Sequence, residues 1–294
     1  RLRITPFAET ETGQRSVNEK SLEKIKHPVG TKVAELVLRW RNLNKLASTY
    51  LEPYKDLNGR VHPHWNATGA RTGRFSSSSP NLQNIPKDDK IRRIFIPDNE
   101  FFDFDYSQIE LRIAASLSNQ RNMVQAFKDG EDLHATTASL VFEKELNEIT
   151  KEDRRIGKTL NFATLYGAGV SKLSGDLELS KSQAGVLLNH LHTAYPQLKA
   201  QTYYCKLAAE RDGYIETAFK RKLPIEAGEE FKAFNYMIQG TAADLMKLTL
   251  LRTAEYVESV GGTITNCVHD EIVFDNLEET AIKDLRQIME NFTL

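Results

Sequence analysis

The sequence has few of the features that mark secreted, membrane-bound or disulfide-stapled proteins. Its 294 residues include two cysteines, Cys205 and Cys267, which lie far apart and in no paired motif. They predict neither a disulfide framework nor a zinc site. There is no apolar run long enough to cross a bilayer, and no charged-then-apolar leader at the start. We therefore expect a soluble protein of a reducing compartment, cytoplasmic rather than secreted, with no membrane partner.

An excess of charge of either sign is also lacking. The net charge is -1, whereas proteins that bind nucleic acids usually carry a basic surface. The average nevertheless conceals three basic clusters, which are "KIRRIF" at 90–95, "RRIGK" at 154–158 and "KRK" at 220–222. Composition therefore argues only weakly against a nucleic-acid partner, because local patches decide binding more than the sum does.

Internal repeats of solenoid length are absent, and the one low-complexity run is "SSSS" at 76–79. It lies within "TGRFSSSSPNLQNIP", which its Gly, Ser, Pro and Asn residues mark as an irregular loop. The length favours two or three subdomains. Because the chain opens on Arg1 and stops within a helical pattern, we expect a fragment of a longer protein.

The hydrophobic periodicity predicts a mixture of helices and strands. A helix is predicted over 32–50, and the pattern from Gln108 to Glu258 is mainly helical. Strands are predicted again in "GGTITNCVHDEIVFD" at 261–275. The residues of the first helix that this periodicity turns inward are Val33, Leu36, Val37, Trp40, Leu43 and Leu46.

A strand that ends in acidic residues is predicted in "FFDFDYSQIELR" at 101–112. Alternation puts Phe102, Phe104 and Tyr106 on one face, with Asp103 and Asp105 on the other. Carboxylates at such a strand end commonly bind ligands or metals in open sheets. On this stretch alone, a solvated edge strand whose acids face water is the slightly favoured alternative.

A helix begins directly after that strand. Ser107 stands three residues before Glu110, which is the spacing of a capping box, and Ile109, Ile113 and Leu117 recur at helical intervals. We therefore expect the Glu110 carboxylate to reach back to the backbone N–H of Ser107.

The segment "DRRIGKTLNFATLYG" at 153–167 predicts an amphipathic helix with an unusual polar face. Arg154, Lys158, Phe162 and Tyr166 recur at every fourth position and form one stripe. Two cations near a helix N-terminus suit phosphates, and two aromatic rings beyond them suit a base. A solvated helix with surface charges is the common alternative, but the order of the four residues favours nucleotide binding.

A second acidic element is predicted in "NCVHDEIVFD" at 266–275, where His269, Asp270 and Glu271 lie between two apolar strands. Acids at a hairpin apex are ordinary turn residues when taken alone. Together with the acid at the first strand end, they indicate a site where carboxylates from separate strands hold two divalent cations.

These stretches resemble the motifs of a known family. "DYSQIELR" at 105–112, "RRIGKTLNFATLYG" at 154–167 and "VHDEI" at 268–272 resemble motifs A, B and C of family A DNA polymerases, the group of bacterial DNA polymerase I. "TGRFSSSSPNLQNIP" at 72–86 and "QGTAADLMK" at 239–247 resemble two further stretches, in the same order and at similar spacing. The similarity extends over most of the chain.

The resemblance implies an α+β fold of the right-hand polymerase type, with an antiparallel palm sheet, helical fingers and a partial thumb. Its implied boundaries are a partial thumb at 1–60, a first palm part at 61–117, fingers at 118–234 and a truncated second palm part at 235–294. It further implies template-directed DNA synthesis in replication or repair by a monomer, with primer-template DNA and deoxynucleoside triphosphates as partners and two Mg²⁺ ions as cofactors.

The resemblance also assigns roles to residues. Asp105 and Asp270 would ligate the two Mg²⁺ ions with help from the backbone of Tyr106, and Glu271 and Lys158 would complete the catalytic group. The implied nucleotide-binding residues are Arg154, Lys158, Phe162, Tyr166, His134, Glu110 and Gln108, of which Glu110 would exclude ribose. The implied DNA-binding residues are Arg74, Gln83, Asn84, Asn235, Gln239 and His269.

Three alternatives stay open at this point. "DFDYS" at 103–107 resembles the start of haloacid-dehalogenase-type phosphatases, in which Asp103 would be the nucleophile. That alternative gives no role to the stripe from Arg154 to Tyr166. An inactive nucleic-acid-binding module would keep the basic clusters but could lose Asp105 or Asp270, and both are present. A single-subunit RNA polymerase would not be expected to carry Glu110 or Phe162 at these positions.

Overall fold

The structure, a computed structural model, describes residues 16–54, 59–86 and 88–292. The chain divides into two compact units, Arg1–His64 with Ser78–Ile96, and Trp65–Ser77 with Pro97–Leu294. The first unit contains helices α1 (Glu19–Glu23), α2 (Pro28–Lys45) and α3 (Asp89–Arg92). The division passes through two short strands, β1 (His64–Asn66) and β2 (Ser76–Ser78).

Helix α2 begins earlier than predicted and turns a different face inward. Pro28 occupies the first helical turn, and the His27 ring accepts the Gly30 N–H at 3.0 Å, which together fix the start. The buried residues of α2 are the small ones, Gly30 and Ala34. The prediction that its large apolar residues point inward is wrong for four of the six. Val37 and Leu46 are half-buried, but the exposed fractions of the other four are 43% to 64%, at Val33, Leu36, Trp40 and Leu43. The buried face of α2 is therefore the one that carries its small residues.

The second unit contains most of the regular structure. Its helices are α4 (Ile109–Leu117), α5 (Arg121–Lys128), α6 (Leu133–Phe142), α7 (Lys151–Leu165), α8 (Val170–Leu177), α9 (Lys181–Ala194), α10 (Pro196–Asp212), α11 (Ala233–Ser259) and α12 (Glu279–Glu290). Its strands are β3 (Phe101–Asp105), β4 (Tyr214–Glu216), β5 (Lys222–Pro224), β6 (Thr263–Val268) and β7 (Glu271–Asp275). The α+β class is confirmed, and the pair β4–β5 is an addition that the mainly helical pattern did not predict.

The three-stranded antiparallel sheet has the order β3-β7-β6. The predicted alternation along β3 is confirmed, because Phe102 and Phe104 are half-buried while Asp103 and Asp105 are exposed. The Phe104 ring meets the buried Phe274 ring edge-on, at 5.5 Å between centroids. This aromatic contact holds β3 against the sheet core and leaves the aspartate face open.

Strand β3 is anchored where it begins. The buried carboxylate of Asp275, at the end of β7, accepts the backbone N–H groups of Asp98, Asn99 and Glu100 at 2.7, 3.2 and 3.2 Å. A carboxylate bonded by several N–H groups fixes a turn firmly, because each bond is charge-assisted. The register of β3 on β7 is therefore set from the end opposite to Asp105.

Helix α11 forms the centre of the helical layer. Its buried residues belong to both apolar clusters of the second unit, one among the helices and one beneath the sheet. At Gly240 an added Cβ would lie 2.5 Å from the Leu223 side chain, so glycine permits β5 to lie close to this helix. In the described residues no helix combines the length and the apolar character that a membrane span requires.

Candidate active site

The two predicted aspartates lie at adjoining strand ends. In the β3–β7 register Asp105 is paired with Glu271, and the Tyr106 N–H donates to the Asp270 carbonyl at 3.1 Å. Asp270 belongs to the two-residue turn between β6 and β7, which His269 opens in the left-handed conformation at φ 56°. The fold therefore brings Asp105 next to the consecutive acids Asp270 and Glu271, which are far from it in the sequence.

The acids of this corner are accessible to a ligand. Asp105 is exposed, and Asp270 and Glu271 are half-buried. Among the described residues, no three His, Cys, Asp or Glu side chains converge as a closed protein cage for a metal would need. Mg²⁺ seldom uses such a cage, because one or two carboxylates with substrate phosphates and water normally hold it. The donor set of this corner thus fits Mg²⁺.

Tyr106 ties the corner to the helices behind it. Its hydroxyl lies 2.8 Å from Thr249 Oγ1 on α11 and donates to the Met289 carbonyl on α12 at 2.7 Å. Burial raises the pKa of this phenol, so it stays protonated and keeps both bonds. The side chain is therefore an interior anchor, and only the backbone of Tyr106 is left for the predicted role beside a metal.

The predicted capping box at the start of α4 is wrong. Gln108 adopts the left-handed conformation at φ 54° and is itself the N-cap, with no side-chain capping bond, so the helix begins at Ile109. The Ser107 carbonyl accepts the Arg112 Nε–H at 2.8 Å. The shift of the helix start by one residue moves Glu110 out of capping position, and its carboxylate is free to bond elsewhere. Gln108 Oε1 is buried with no hydrogen-bond partner in the described part of the chain.

The Glu110 carboxylate joins residues of three segments. It lies 2.5 Å from Arg74 Nη2 and accepts the Tyr166 hydroxyl at 3.3 Å. The pKa of Tyr166 is raised by burial and then by the charge of Glu110, while a hydrogen bond with Gln239 acts in the opposite direction. Residues predicted to bind nucleotide, Glu110 and Tyr166, therefore contact residues predicted to bind DNA, Arg74 and Gln239.

The loop that carries Arg74 is supported by a residue that the sequence did not single out. Arg221 Nε donates to Asp244 Oδ1 at 2.7 Å, and its Nη2 donates to the Thr72 carbonyl at 2.8 Å. An added Cβ at Gly73, which has φ 81°, would lie 2.6 Å from the same guanidinium. In the sequence Arg221 is one of three consecutive cations. Its contact with Asp244 on α11, which the sequence does not show, distinguishes it from the lysines on either side.

Helix α7 presents the predicted stripe. Thr150 and Asp153 form a reciprocal capping box that fixes its start. Arg154 and Lys158 are exposed, while Leu160 on the other face is fully buried. The rings at the far end, Phe162 and Tyr166, are stacked with centroids 6.3 Å apart and planes 21° apart. Tyr166 lies just past the last helical residue, Leu165, so the stripe ends at the helix C-cap.

His134 lies beside this stripe. Asp132, the N-cap of α6, accepts the His134 backbone N–H at 2.9 Å and also pairs with the Arg154 guanidinium. The imidazole is 6% exposed, and its ring centroid lies 6.0 Å from that of Phe162. Burial lowers the pKa of His134, and the charges of Arg154 and Lys158 lower it further, whereas Asp132 raises it. The ring is therefore neutral near pH 7.

The close approach of α6 and α7 depends on Gly157. A Cβ at this position would lie 2.2 Å from the His134 carbonyl oxygen and 3.1 Å from the Ala138 Cβ. No side chain is accommodated at the first distance without movement of one helix. Sequence reasoning missed this residue, because a glycine inside a helical pattern has no visible role until its neighbour is known.

The other predicted DNA-binding residues lie in both units. Asn235 is buried in the first turn of α11, where its Nδ2 has no hydrogen-bond partner among the described residues, and His269 is exposed at the hairpin apex. In the first unit, Gln83 and Asn84 share a single 3₁₀ turn, with Gln83 buried and Asn84 exposed.

The chain as a whole matches one family. A model described as DNA polymerase family A matches residues 1–293, so the chain belongs to that family, and the predicted resemblance is confirmed.

Relatives and a solved structure agree with this membership. Thermostable DNA polymerase I of Thermus aquaticus is 38% identical in an alignment that covers 92% of this chain and 35% of that protein. The Thermus filiformis enzyme is 36% identical in an alignment that covers 99% of this chain and 38% of that protein. The chain thus spans about a third of the length of these relatives.

The solved structure is described as the POL domain of Pol1 from M. smegmatis in complex with DNA primer-template and dNTP. It has a TM-score of 0.87 and 30% identity, and the match covers 98% of this chain and 54% of that one. The fold of this chain is therefore that of a polymerase domain, and neither the family nor the fold favours the phosphatase alternative based on Asp103.

Proposed function

We propose that this chain is the catalytic core of a template-directed DNA polymerase. It would transfer a deoxynucleotide from its triphosphate to a primer 3′-hydroxyl and release pyrophosphate, in replication, repair or both. The observation that carries the proposal is the meeting of two strand ends, where Asp105 pairs with Glu271 and the Tyr106 N–H bonds the Asp270 carbonyl. Membership of DNA polymerase family A supports the same activity.

The acidic corner would hold two Mg²⁺ ions. Asp105 at the end of β3 and Asp270 in the turn between β6 and β7 supply hard carboxylate oxygens. Tyr106, whose carbonyl would assist, follows Asp105, and Glu271 follows Asp270. When bound, Mg²⁺ activates the attacking hydroxyl and stabilises the leaving pyrophosphate. The anchoring of Tyr106 to α11 and α12 keeps the two carboxylates in place, because the strand end cannot move without breaking two buried hydrogen bonds.

The polar face of α7 would bind the triphosphate. Arg154 lies at the end of the first turn of the helix, near the N-terminus where the macrodipole favours anions, and Lys158 lies one turn further along the same face. Lys158 would be the catalytic cation that stabilises charge on the departing pyrophosphate, and His134 would donate a hydrogen bond from beside it. The pairing of Arg154 with Asp132 orients the guanidinium before a nucleotide arrives.

The far end of the stripe would bind the base and the sugar. Phe162 would pack on the incoming nucleotide, and Tyr166, stacked against it, would occupy or guard the position of the template base. Glu110 is held by Arg74 and Tyr166 at a fixed place, so it would exclude a ribose 2′-hydroxyl by its bulk. Gln108, whose buried Oε1 lacks a partner among the described residues, would complete this pocket.

Contacts with primer-template DNA would come from both units. Arg74, Asn235, Gln239 and His269 belong to the second unit, and Gln83 and Asn84 to the first. The buried Nδ2 of Asn235 is a donor without a protein acceptor in the described residues, which suits a hydrogen bond to nucleic acid. The related Pol1 domain was solved with primer-template DNA and dNTP, and we extend those ligands to this chain.

The domain assignment is part of the same proposal. Residues 1–60 would belong to the thumb, 61–117 and 235–294 to the palm, and 118–234 to the fingers. We propose that the protein acts as a monomer in the cytoplasm, or in the compartment where DNA is replicated. Its two buried free thiols, Cys205 and Cys267, suit a reducing environment.

Extension of a labelled primer on a DNA template tests the proposal. With Mg²⁺ and the four deoxynucleoside triphosphates, the primer should lengthen to the end of the template, and the nucleotides added should be complementary to the template sequence. Chelation of the metal should stop extension. Phosphate release from a small phosphoester, without primer extension, would instead support the phosphatase that Asp103 suggested.

A further inference from the structure

A buried chain of polar side chains lies behind the ring of His134. It consists of Tyr195, which ends α9, then Thr137 on α6, then Asn161 on α7. All three are buried, between 0% and 2% exposed. The Tyr195 hydroxyl lies 2.7 Å from Thr137 Oγ1, which donates to Asn161 Oδ1 at 2.9 Å. Asn161 Nδ2 then lies 3.1 Å from His134 Nδ1. The chain thus joins three helices and ends at the imidazole.

With the Asn161 amide oriented as in the structure, the hydrogen bonds of this chain of side chains all run towards His134. Burial raises the pKa of Tyr195 to about 12, so the phenol keeps its proton and donates to Thr137. Thr137 in turn donates to the amide oxygen of Asn161. The amide nitrogen therefore faces His134, and because an amide nitrogen only donates, His134 Nδ1 must accept. A neutral imidazole carries one N–H, which is left on Nε2.

We propose that Asn161, Thr137 and Tyr195 are positioning residues that hold His134 as the Nε2–H tautomer, so that the nitrogen remote from Asn161 donates to a phosphate oxygen of the nucleotide. The inference rests on the proposed function, because it takes the triphosphate to lie at His134. It assigns a role to three residues that touch neither metal nor substrate.

The charges around His134 make the tautomer important. Asp132 lies on its own element, and Arg154 and Lys158 face it from α7. Two cations and burial oppose a third positive charge, while Asp132 is already engaged by Arg154. Because the ring is neutral near pH 7, the tautomer alone decides whether Nε2 is a donor or a lone pair. A lone pair there would repel a phosphate oxygen.

Nitrogen NMR of the chain labelled with ¹⁵N-histidine tests the tautomer directly, with His134→Gln used to assign the His134 signals. In the nucleotide-free protein near pH 7.5, we expect a bare Nδ1 and a protonated Nε2. A protonated Nδ1 would overturn the proposal. It would mean that the Asn161 amide has the opposite orientation, with Thr137 donating instead to the Leu133 carbonyl at 2.8 Å.

Asn161→Asp should reverse the direction of the hydrogen bond between residue 161 and His134 Nδ1. A carboxylate only accepts, so it should accept a hydrogen bond from Nδ1–H, shift the single proton of the neutral ring from Nε2 to Nδ1, and raise the proton affinity of the imidazole. We expect the KM for deoxynucleotide to rise about tenfold or more near pH 8, which is the loss of one good hydrogen bond to a charged group. The KM should recover near pH 6, where the imidazolium has both N–H groups.

The controls separate positioning from folding. Asn189→Asp makes the same charge change at an exposed position of α9 and should alter neither the tautomer nor the KM. Thr137→Val removes the donor to Asn161 and should mix the tautomers, whereas Thr137→Ser should preserve Nε2–H. A KM for Asn161→Asp that is unchanged, or that rises equally at both pH values, would contradict the proposal.

Failure of the inference and failure of the proposed function give different results. The inference fails if the nucleotide-free spectrum of the unaltered chain shows a protonated Nδ1 on His134. The proposed function fails at this residue if the Nε2 signal of His134 does not move when a deoxynucleoside triphosphate is added with Mg²⁺ and primed DNA. An Nε2–H tautomer whose Nε2 signal does not move with nucleotide would support the role of the buried polar chain and reject the placement of the triphosphate at His134.

Discussion

Arg74 Nη2 lies 2.5 Å from the Glu110 carboxylate, and this ion pair joins a residue assigned to the DNA duplex with one assigned to sugar selection. The same carboxylate accepts the Tyr166 hydroxyl, so one side chain connects the Gly73 loop, the start of α4 and the end of α7. Because both partners are partly shielded from water, their positions depend on each other. The proposed roles of Glu110 in sugar selection and of Arg74 in duplex contact would therefore be coupled through this ion pair.

Glu110→Ala is expected to relax sugar selection. Removal of the side chain opens the space that a ribose 2′-hydroxyl would need, so the preference for deoxynucleotides should fall by about 10- to 200-fold, as for discrimination by pocket shape. Glu110→Gln keeps the bulk and should retain most of the preference. The measurement is the ratio of kcat/KM values for a ribonucleotide and its deoxy counterpart. Equal losses in both variants would mean that charge, and not bulk, is responsible.

Gly157→Ala is expected to push α6 away from α7. The new Cβ would lie 2.2 Å from the His134 carbonyl, and overpacking of this kind costs about 1–3 kcal/mol of stability. It should also raise the KM for deoxynucleotide, because His134 moves relative to Arg154 and Lys158.

The matched control is Gly185→Ala, in the interior of α9, where an added Cβ meets no atom within 4 Å. That change should stabilise the protein by about 0.5–1 kcal/mol, since alanine is the better helix former. Denaturant unfolding of both variants compares the two effects. A stable Gly157→Ala protein with an unchanged KM would show that the helices tolerate separation there.

Arg221→Ala is expected to loosen the loop that carries Arg74. It removes the bonds to Asp244 and the Thr72 carbonyl, and we expect a loss of about 1–3 kcal/mol together with weaker binding of primed DNA. Arg211→Ala, which breaks a solvent-exposed ion pair with Asp212, should leave the free energy of unfolding almost unchanged. Unfolding curves and a DNA titration measure both. Destabilisation with unaltered DNA affinity would limit Arg221 to a structural role.

Acid should destabilise the protein partly through His134. Burial lowers the pKa of this residue below the value of about 6.5 that it has in an unfolded chain. The unfolded chain therefore takes up a proton first, and the free energy of unfolding should fall as the pH drops through about 6.5 towards the lowered pKa. His192, whose pKa burial also lowers, contributes in the same direction.

His134→Gln removes one of these two contributions. Its free energy of unfolding should fall less steeply than that of the wild type between about pH 7 and pH 5. Denaturant titrations at several pH values measure the slopes. Parallel curves for the two proteins would show that His134 takes up its proton equally readily in the folded and unfolded chains.

Two patterns within single elements were predicted correctly from the sequence. The alternation of Phe102 and Phe104 with Asp103 and Asp105 depends on strand geometry alone, and so does the helical spacing of the stripe from Arg154 to Tyr166. The acidic strand end and the acidic hairpin apex followed from local signals too. Their juxtaposition required the β3–β7 register, which no local signal carries.

The errors and omissions arose where a residue distant in the sequence determines the local structure or the partner of a side chain. Ser107 and Glu110 have capping-box spacing, but the left-handed backbone of Gln108 moves the helix start and Arg74 offers Glu110 a stronger partner. The roles of Gly157 and Arg221 appear only from the segments that they contact. The apolar stripe predicted for α2 was wrong in the same way, because periodicity alone does not show which face of a helix has a neighbour, and the buried residues are Gly30 and Ala34.

The central claim is that Asp105 and Asp270 form the metal-binding pair of a DNA polymerase, and primer extension by three aspartate variants tests it most directly. Asp105→Asn and Asp270→Asn should each lose at least about a thousandfold in extension rate while still binding primed DNA, because the loss of a metal ligand removes several kcal/mol of transition-state stabilisation. Asp103→Asn, on the same exposed face two residues earlier in β3, is the matched control and should retain most of the rate. Full activity of Asp105→Asn, or an inactive Asp103→Asn beside an active Asp105→Asn, would contradict the account.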